Sequence, residues 1–174
     1  DVGEKAADHF YPISIVEKDQ IADKCREIGV CGICSIATDL GNYTVNYVAD
    51  RLGLPGNSME CARLSTNKHL MREAFERNGD PSPRSVMVDE NTDLGSLTLT
   101  YPVIVKPTDR SGSRGIHKLQ SPEGLREAVR NALGCSFEKK ALIEEFAEGQ
   151  EYSVEGISYQ GEHHILAMTL KYTT

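Results

Sequence analysis

The sequence predicts an α/β arrangement in its N-terminal part that passes into an α+β arrangement, and three features carry that prediction. Before residue 64, apolar residues recur at helical spacing on both sides of a short apolar run. Asp80-Pro81-Ser82-Pro83 then halts any helix, because each proline lacks a backbone donor and restrains the residue before it. After Pro83 the pattern becomes a series of short strands around one helix.

Taken in order, residues Glu17 to Ile28 place Ile21, Cys25 and Ile28 on one helical face, and Gly29 breaks the helix. The apolar run from Gly29 to Ala37 reads as a buried strand. Tyr43 to Leu52 predicts a second helix with Val45, Val48 and Leu52 on one side, closed by the turn Gly53-Leu54-Pro55-Gly56. This alternation fits part of a parallel, Rossmann-like sheet, too short to be complete. A further helix runs to Gly79, with Ser65 as its N-cap and Leu70, Met71, Ala74 and Phe75 as its buried stripe.

Beyond the prolines, short strands are expected around Val86 and Val103, followed by a glycine-rich turn. Ser121 to Leu133 reads as a helix with Leu125, Ala128 and Val129 inward. Strands return at Ala141 to Phe146, Tyr152 to Tyr159 and His164 to Tyr172, with Gln160-Gly161-Glu162 as a hairpin turn. No internal repeat or low-complexity segment is present.

Composition narrows the function. The 174 residues are 39% apolar and 26% charged, ordinary globular values. A formal net charge of -7 gives no overall basic field for a phosphate backbone, so nucleic acid is not an expected partner. No run approaches the roughly 18 consecutive apolar residues of a membrane span, and no signal-peptide pattern opens the chain, so a soluble, cytoplasmic protein is expected. Five scattered cysteines, an odd number, argue against a secreted disulfide framework. Cys31 and Cys34 form a C-x-x-C, but on a strand their side chains would point to opposite faces, so core thiols are expected rather than a metal site. The chain opens at Asp1 rather than methionine and closes on a strand-like pattern, so a piece of a longer protein is expected.

Two segments carry chemistry. Tyr101-Pro102-Val103-Ile104-Val105-Lys106-Pro107 is an apolar strand that delivers a lysine at its end, and Ser111-Gly112-Ser113-Arg114-Gly115 follows closely. A lysine on a rigid strand beside small residues suits a polyphosphate, because glycine lets backbone N–H groups approach and the ammonium supplies a point charge. The order is neither a Walker loop nor the G-x-G-x-x-G dinucleotide fingerprint, and an ordinary hairpin turn is the plain alternative. In the second segment, strand Ala141 to Phe146 runs through a connector into a strand opened by Glu151, a spacing compatible with a carboxylate acceptor for ribose hydroxyls. A linker with solvated glutamates is the plain alternative there. His163 and His164 read as an exposed pair at the hairpin turn, and adjacency in sequence gives His69 and His117 no role.

The ordered set of Lys68 on a helix, Val103-Ile104-Val105-Lys106-Pro107, the loop Ser111 to Gly115, and Ile143-Glu144-Glu145-Phe146 leading to Glu151-Tyr152-Ser153-Val154 resembles the ATP-grasp superfamily. It looks most like the branch with biotin carboxylase, carbamoyl-phosphate synthetase and the amino-acid ligases. The resemblance implies that Lys106 and Lys68 contact the phosphates of ATP and that Ser111, Gly112, Ser113 and Gly115 form the mobile loop above them. It implies that Glu144 faces the adenine amino group, that the backbone of Glu145 and Ala147 reads the adenine edge, and that Glu151 holds the ribose.

The same resemblance implies a partial, Rossmann-like pre-ATP-grasp domain in residues 1–64 and a linking helix in 65–82. A central ATP-grasp subdomain would follow in 83–150, and the start of a C-terminal subdomain in 151–174. Magnesium ligands and catalytic residues are expected beyond residue 174, so this piece is expected to bind ATP without transferring phosphate. Lys171 would stand near that active centre. The implied activity is ligation of a small carboxylate to an amine through an acyl phosphate, in a protein for which a homodimer is also compatible. Two competing readings are a bicarbonate-activating enzyme and a non-catalytic nucleotide-binding module. A dehydrogenase fragment is disfavoured, because residues 1–64 hold no G-x-G-x-x-G after a strand.

Overall fold

The structure is a computed structural model that describes residues 2–36 and 38–172. Its N-terminal part is helical: α1 spans Val2–Ala6, α2 Lys18–Ile28, α3 Asp39–Leu52, α4 Met59–Thr66 and α5 Lys68–Asn78. Glycine ends three of these helices. Gly29, Gly53 and Gly79 each adopt left-handed φ of 66°, 66° and 73° and return their N–H groups to the last turn. The stops of α2, α3 and α5 therefore fall at the glycines that the sequence marks.

Three expectations need correction here. The segment 29–36 is irregular rather than a strand, with Cys31 and Cys34 exposed and Ile36 87% exposed; Ala37 lies outside the described residues. No strand among the described residues lies alongside to take its backbone hydrogen bonds or cover its faces, so its apolar composition alone does not extend it. The cysteines there are not core thiols. Helix α3 begins at Asp39 rather than Tyr43, with its acidic residue in the positive first turn.

The third correction concerns the helix expected from Ser65, which is two helices. Ser65 lies within α4, its hydroxyl donating to Ala62 O at 3.1 Å. Asn67 closes α4 and caps α5, its side-chain oxygen accepting from His69 N at 3.0 Å and Leu70 N at 3.2 Å. Asparagine accepts from the first free amides of a helix better than most residues do, and it outcompetes continuation of a single helix. The stripe Leu70, Met71, Ala74 and Phe75 is half-buried.

The C-terminal part is built on an antiparallel sheet. Strands β1 (Ser85–Val88), β2 (Val103–Pro107), β3 (His117–Leu119) and β4 (Ala141–Glu145) lie in the order β1-β4-β2-β3, with all neighbours antiparallel. Helix α6 (Leu125–Cys135) covers one face. It starts later than Ser121 because Gly124, at φ 80°, turns the chain into it. Leu125, Ala128 and Val129 point inward as expected, and with Ala132 they pack on Val88, Val103, Val105, Ala141 and Ile143.

Alternation along the strands turns Ile104 and Lys106 of β2, with Leu142 and Glu144 of β4, toward the other face. The chain then runs into a hairpin of β5 (Tyr152–Tyr159) and β6 (Glu162–Leu170), registered as a separate two-stranded sheet. Gln160 and Gly161 take φ of 50° and 84°, the two positive values of a type I′ turn. His163 and His164 lie exposed on β6, just after that turn.

Candidate functional site

Lys106 is the last lysine-bearing position of a strand whose alternate residues are locked in the core, so its side chain emerges on the face opposite α6. Glu144 emerges from β4 on the same face, only 6% exposed. A carboxylate this buried is tolerated when both oxygens find charged donors. Its Oε1 accepts from Lys106 Nζ, and its Oε2 accepts from Arg72 Nε of α5 at 3.1 Å. Arg72 follows Lys68 by one helical turn, so one face of α5 presents two cations.

Lys68 fastens α5 to the segment after β2. Its backbone N–H donates to Thr108 O at 2.8 Å and its ammonium donates to Arg110 O at 2.5 Å. Burial holds that ammonium below the ordinary lysine value, and Lys106 pushes in the same direction, while Asp39, Asp109 and Glu144 pull it back. Because Asn67 caps the helix that carries Lys68, Asn67→Ala is expected to cost about 1 kcal/mol of stability in chemical denaturation. An unchanged midpoint would show that the cap contributes nothing.

The loop between β2 and β3 holds the other expected phosphate residues. Ser111, Gly112 and Ser113 are exposed, and Gly112, Ser113 and Gly115 all have positive φ, at 68°, 55° and 70°. At Gly115 a side chain is disfavoured twice over: the φ is left-handed, and a Cβ would lie 3.1 Å from Cys135 Sγ and 3.2 Å from Pro107 Cγ, closer than ordinary contact. Next to this loop is a cavity of about 330 Å³, with Asp39, Arg63, Lys68, Asp109, Arg110 and Ser111 among its lining residues. Asp109 Oδ1 and Arg110 Nε are buried there without a hydrogen-bond partner.

The second expected segment leaves the sheet beside this cluster. Glu145 donates its N–H to Arg84 O at 2.9 Å, and its carboxylate meets Arg84 Nη2 at 2.6 Å, which keeps the carboxyl below its usual value. Phe146 N–H donates to Pro102 O at 2.9 Å, and the Lys118 ammonium sits 3.3 Å from the centre of the Phe146 ring. Ala147 is exposed. Glu151 pairs with Lys171 at the base of the hairpin, where Lys171 N–H also donates to Glu151 O at 2.9 Å.

The structure therefore brings Lys68, Lys106 and Glu144 together beside the loop Ser111 to Gly115, while Glu151 has a separate partner. Arg72 and Arg84 were not singled out in the sequence. The one signal for Arg72 is its place four residues after Lys68, and that spacing has meaning only once the helix and its facing strand are known.

Residues 99–174 match the family model described as the ATP-grasp domain. A D-alanine--D-alanine ligase of Halorhodospira halophila (strain DSM 244 / SL1) is 31% identical over 113 residues, covering 64% of this chain and 36% of that protein. The carbamoyl phosphate synthase large chain of Thermoanaerobacter pseudethanolicus (strain ATCC 33223 / 39E) is 25% identical over 154 residues, covering 86% of this chain and 14% of that protein. In fold the chain is similar to the L-amino acid ligase from Bacillus licheniformis, with a TM-score of 0.74 and 24% identity over 88% of this chain and 36% of that one. The chain spans about a third or less of the length of these relatives. The ATP-grasp resemblance thus stands on a family model, on curated ligases and synthases, and on fold.

Proposed function

We propose that this chain is the ATP-binding part of an ATP-dependent carboxylate–amine ligase that works through an acyl phosphate. The observation that carries the reading is the buried Glu144 paired with Lys106 and Arg72, set beside Lys68 and a loop with three left-handed residues. Lys106 and Lys68 would take the phosphates and the amides of Ser111, Gly112, Ser113 and Gly115 would close over them, supplying fixed positive charge where negative charge develops. Glu144 would accept from the adenine amino group, Glu145 and Ala147 would lie along the adenine edge, and Glu151 would exchange Lys171 for the ribose.

Residues 1–64, whose described elements are all helices, would belong to a pre-ATP-grasp domain and 65–82 would be its link. Residues 83–150 would then be the central subdomain, and 151–174 the start of the C-terminal one. The protein would act in the cytoplasm; no helix among the described residues is long and apolar enough to cross a membrane. A homodimer fits this reading equally well.

Magnesium would accompany ATP. Among the described residues no group of three or more His, Cys, Asp or Glu is arranged to hold a metal; Glu144 and Glu151 are paired with cations, while Asp109 beside the loop keeps one carboxylate oxygen without a hydrogen-bond partner. We expect these 174 residues to bind ATP without hydrolysing it. Magnesium-dependent phosphate release from the purified chain would contradict that expectation.

An amino acid is the carboxylate favoured by the ligase relatives. Bicarbonate is the alternative favoured by the carbamoyl phosphate synthase, whose alignment spans more of the chain. ADP formation by the complete protein, followed across amino acids, other carboxylates and bicarbonate, tests the proposal. Release with an amino acid alone supports it, and release with bicarbonate alone moves the reading to the second class.

A further inference from the structure

We propose that Arg72 is a positioning residue that allows Lys106 to leave Glu144 for a bound nucleotide, an inference that rests on the nucleotide-binding reading above. One carboxylate here serves two cations from different elements: Lys106 on β2 holds Oε1, and Arg72 on α5 holds Oε2 at 3.1 Å. The side chains are 7% exposed for Glu144, 13% for Lys106 and 23% for Arg72, so water reaches the carboxylate least.

The two cations are not equivalent. A lysine is a compact charge on a flexible stem, whereas arginine holds a planar group in fixed geometry. Arg72 is also steadied by the Phe75 ring, 5.9 Å from its guanidinium carbon. Lys106 is therefore the partner free to move and Arg72 the one that stays.

If Lys106 were the sole partner of Glu144, drawing it toward a polyphosphate would strand a buried charge, and that penalty would be subtracted from nucleotide affinity. With Arg72 in place the carboxylate stays compensated and keeps its orientation while the ammonium changes partners. The dependence of nucleotide affinity on Arg72 should then appear only while position 144 is charged.

The experiment is ATP titration calorimetry on the complete protein and its Arg72→Met, Glu144→Gln and double variants, with thermal unfolding in the absence of nucleotide as the structural readout. Arg72→Met is expected to weaken ATP binding on the order of tenfold and also to lower the nucleotide-free unfolding temperature, because Glu144 Oε2 loses its charged donor. In the Glu144→Gln background the same change is expected to alter affinity by less than about twofold, because no carboxylate is left to strand.

An Arg72→Met protein that binds ATP like the parent overturns the proposal, as does an equal loss of affinity in both backgrounds. Should Arg72→Met fail to fold, Arg72→Lys carries the test, with an intermediate loss expected and unchanged affinity contradicting it. A parent protein that does not bind ATP would refute the nucleotide-binding reading itself. ATP binding that depends on Lys106 but ignores Arg72 would refute only the role assigned to Arg72.

Discussion

Replacing Lys106 by alanine is expected to weaken ATP binding to the complete protein by about ten- to a hundredfold. Hydrogen bonds to charged groups contribute about 1.5–3 kcal/mol each, and every 1.4 kcal/mol is roughly tenfold in affinity. The backbone of Lys106 is rigidly placed, because Val105 and Pro107 on either side are buried and β2 is paired on both edges, so its ammonium has a fixed point of origin. Lys68 comes from a different element and cannot reproduce that geometry. Titration calorimetry gives the answer directly, and an unchanged dissociation constant would remove Lys106 from the site.

Ile143→Ala carries the largest expected loss of stability, about 2–5 kcal/mol. Ile143 is 1% exposed on the central strand β4, between Val86 on β1 and Val105 on β2, and it faces α6 in the core. Against a total of roughly 5–15 kcal/mol for a typical domain, such a change brings the sheet close to unfolding. The next residue on the strand is Glu144, so the same loss would loosen the charged cluster. Urea unfolding should show a lower midpoint at an unchanged slope. A cost below about 1 kcal/mol would mean that the cavity left behind closes freely.

What the sequence revealed and what it concealed follow from the range of the forces involved. The inward face of α6, the hairpin turn at Gln160 and Gly161, and the helix stops at Gly29, Gly53 and Gly79 depend on local spacing and backbone preference, so they were legible. The strand expected from Gly29 depended on neighbours to pair with it, and apolar composition could not supply them. The break at Asn67 was overlooked because the helical spacing of apolar residues continues across it, although its capping side chain was present in the sequence.

The site divides along the same line. Lys68, Lys106 and the loop Ser111 to Gly115 were marked by residue type and position along the chain. The partnership of Glu144 with both Lys106 and Arg72 was hidden, since it joins a helix to two strands across 38 and 72 positions of sequence. The strand pattern marked Lys106 at the end of β2, but only the sheet register shows that Glu144 shares its face.

A crystal structure of the complete protein with a non-hydrolysable ATP analogue tests the central claim most directly. The phosphates are expected against Lys106, Lys68 and the loop Ser111 to Gly115, with the adenine beside Glu144 and the ribose hydroxyls on Glu151. An analogue bound away from Lys106, with the pairs Lys106–Glu144 and Glu151–Lys171 both intact, would contradict the account.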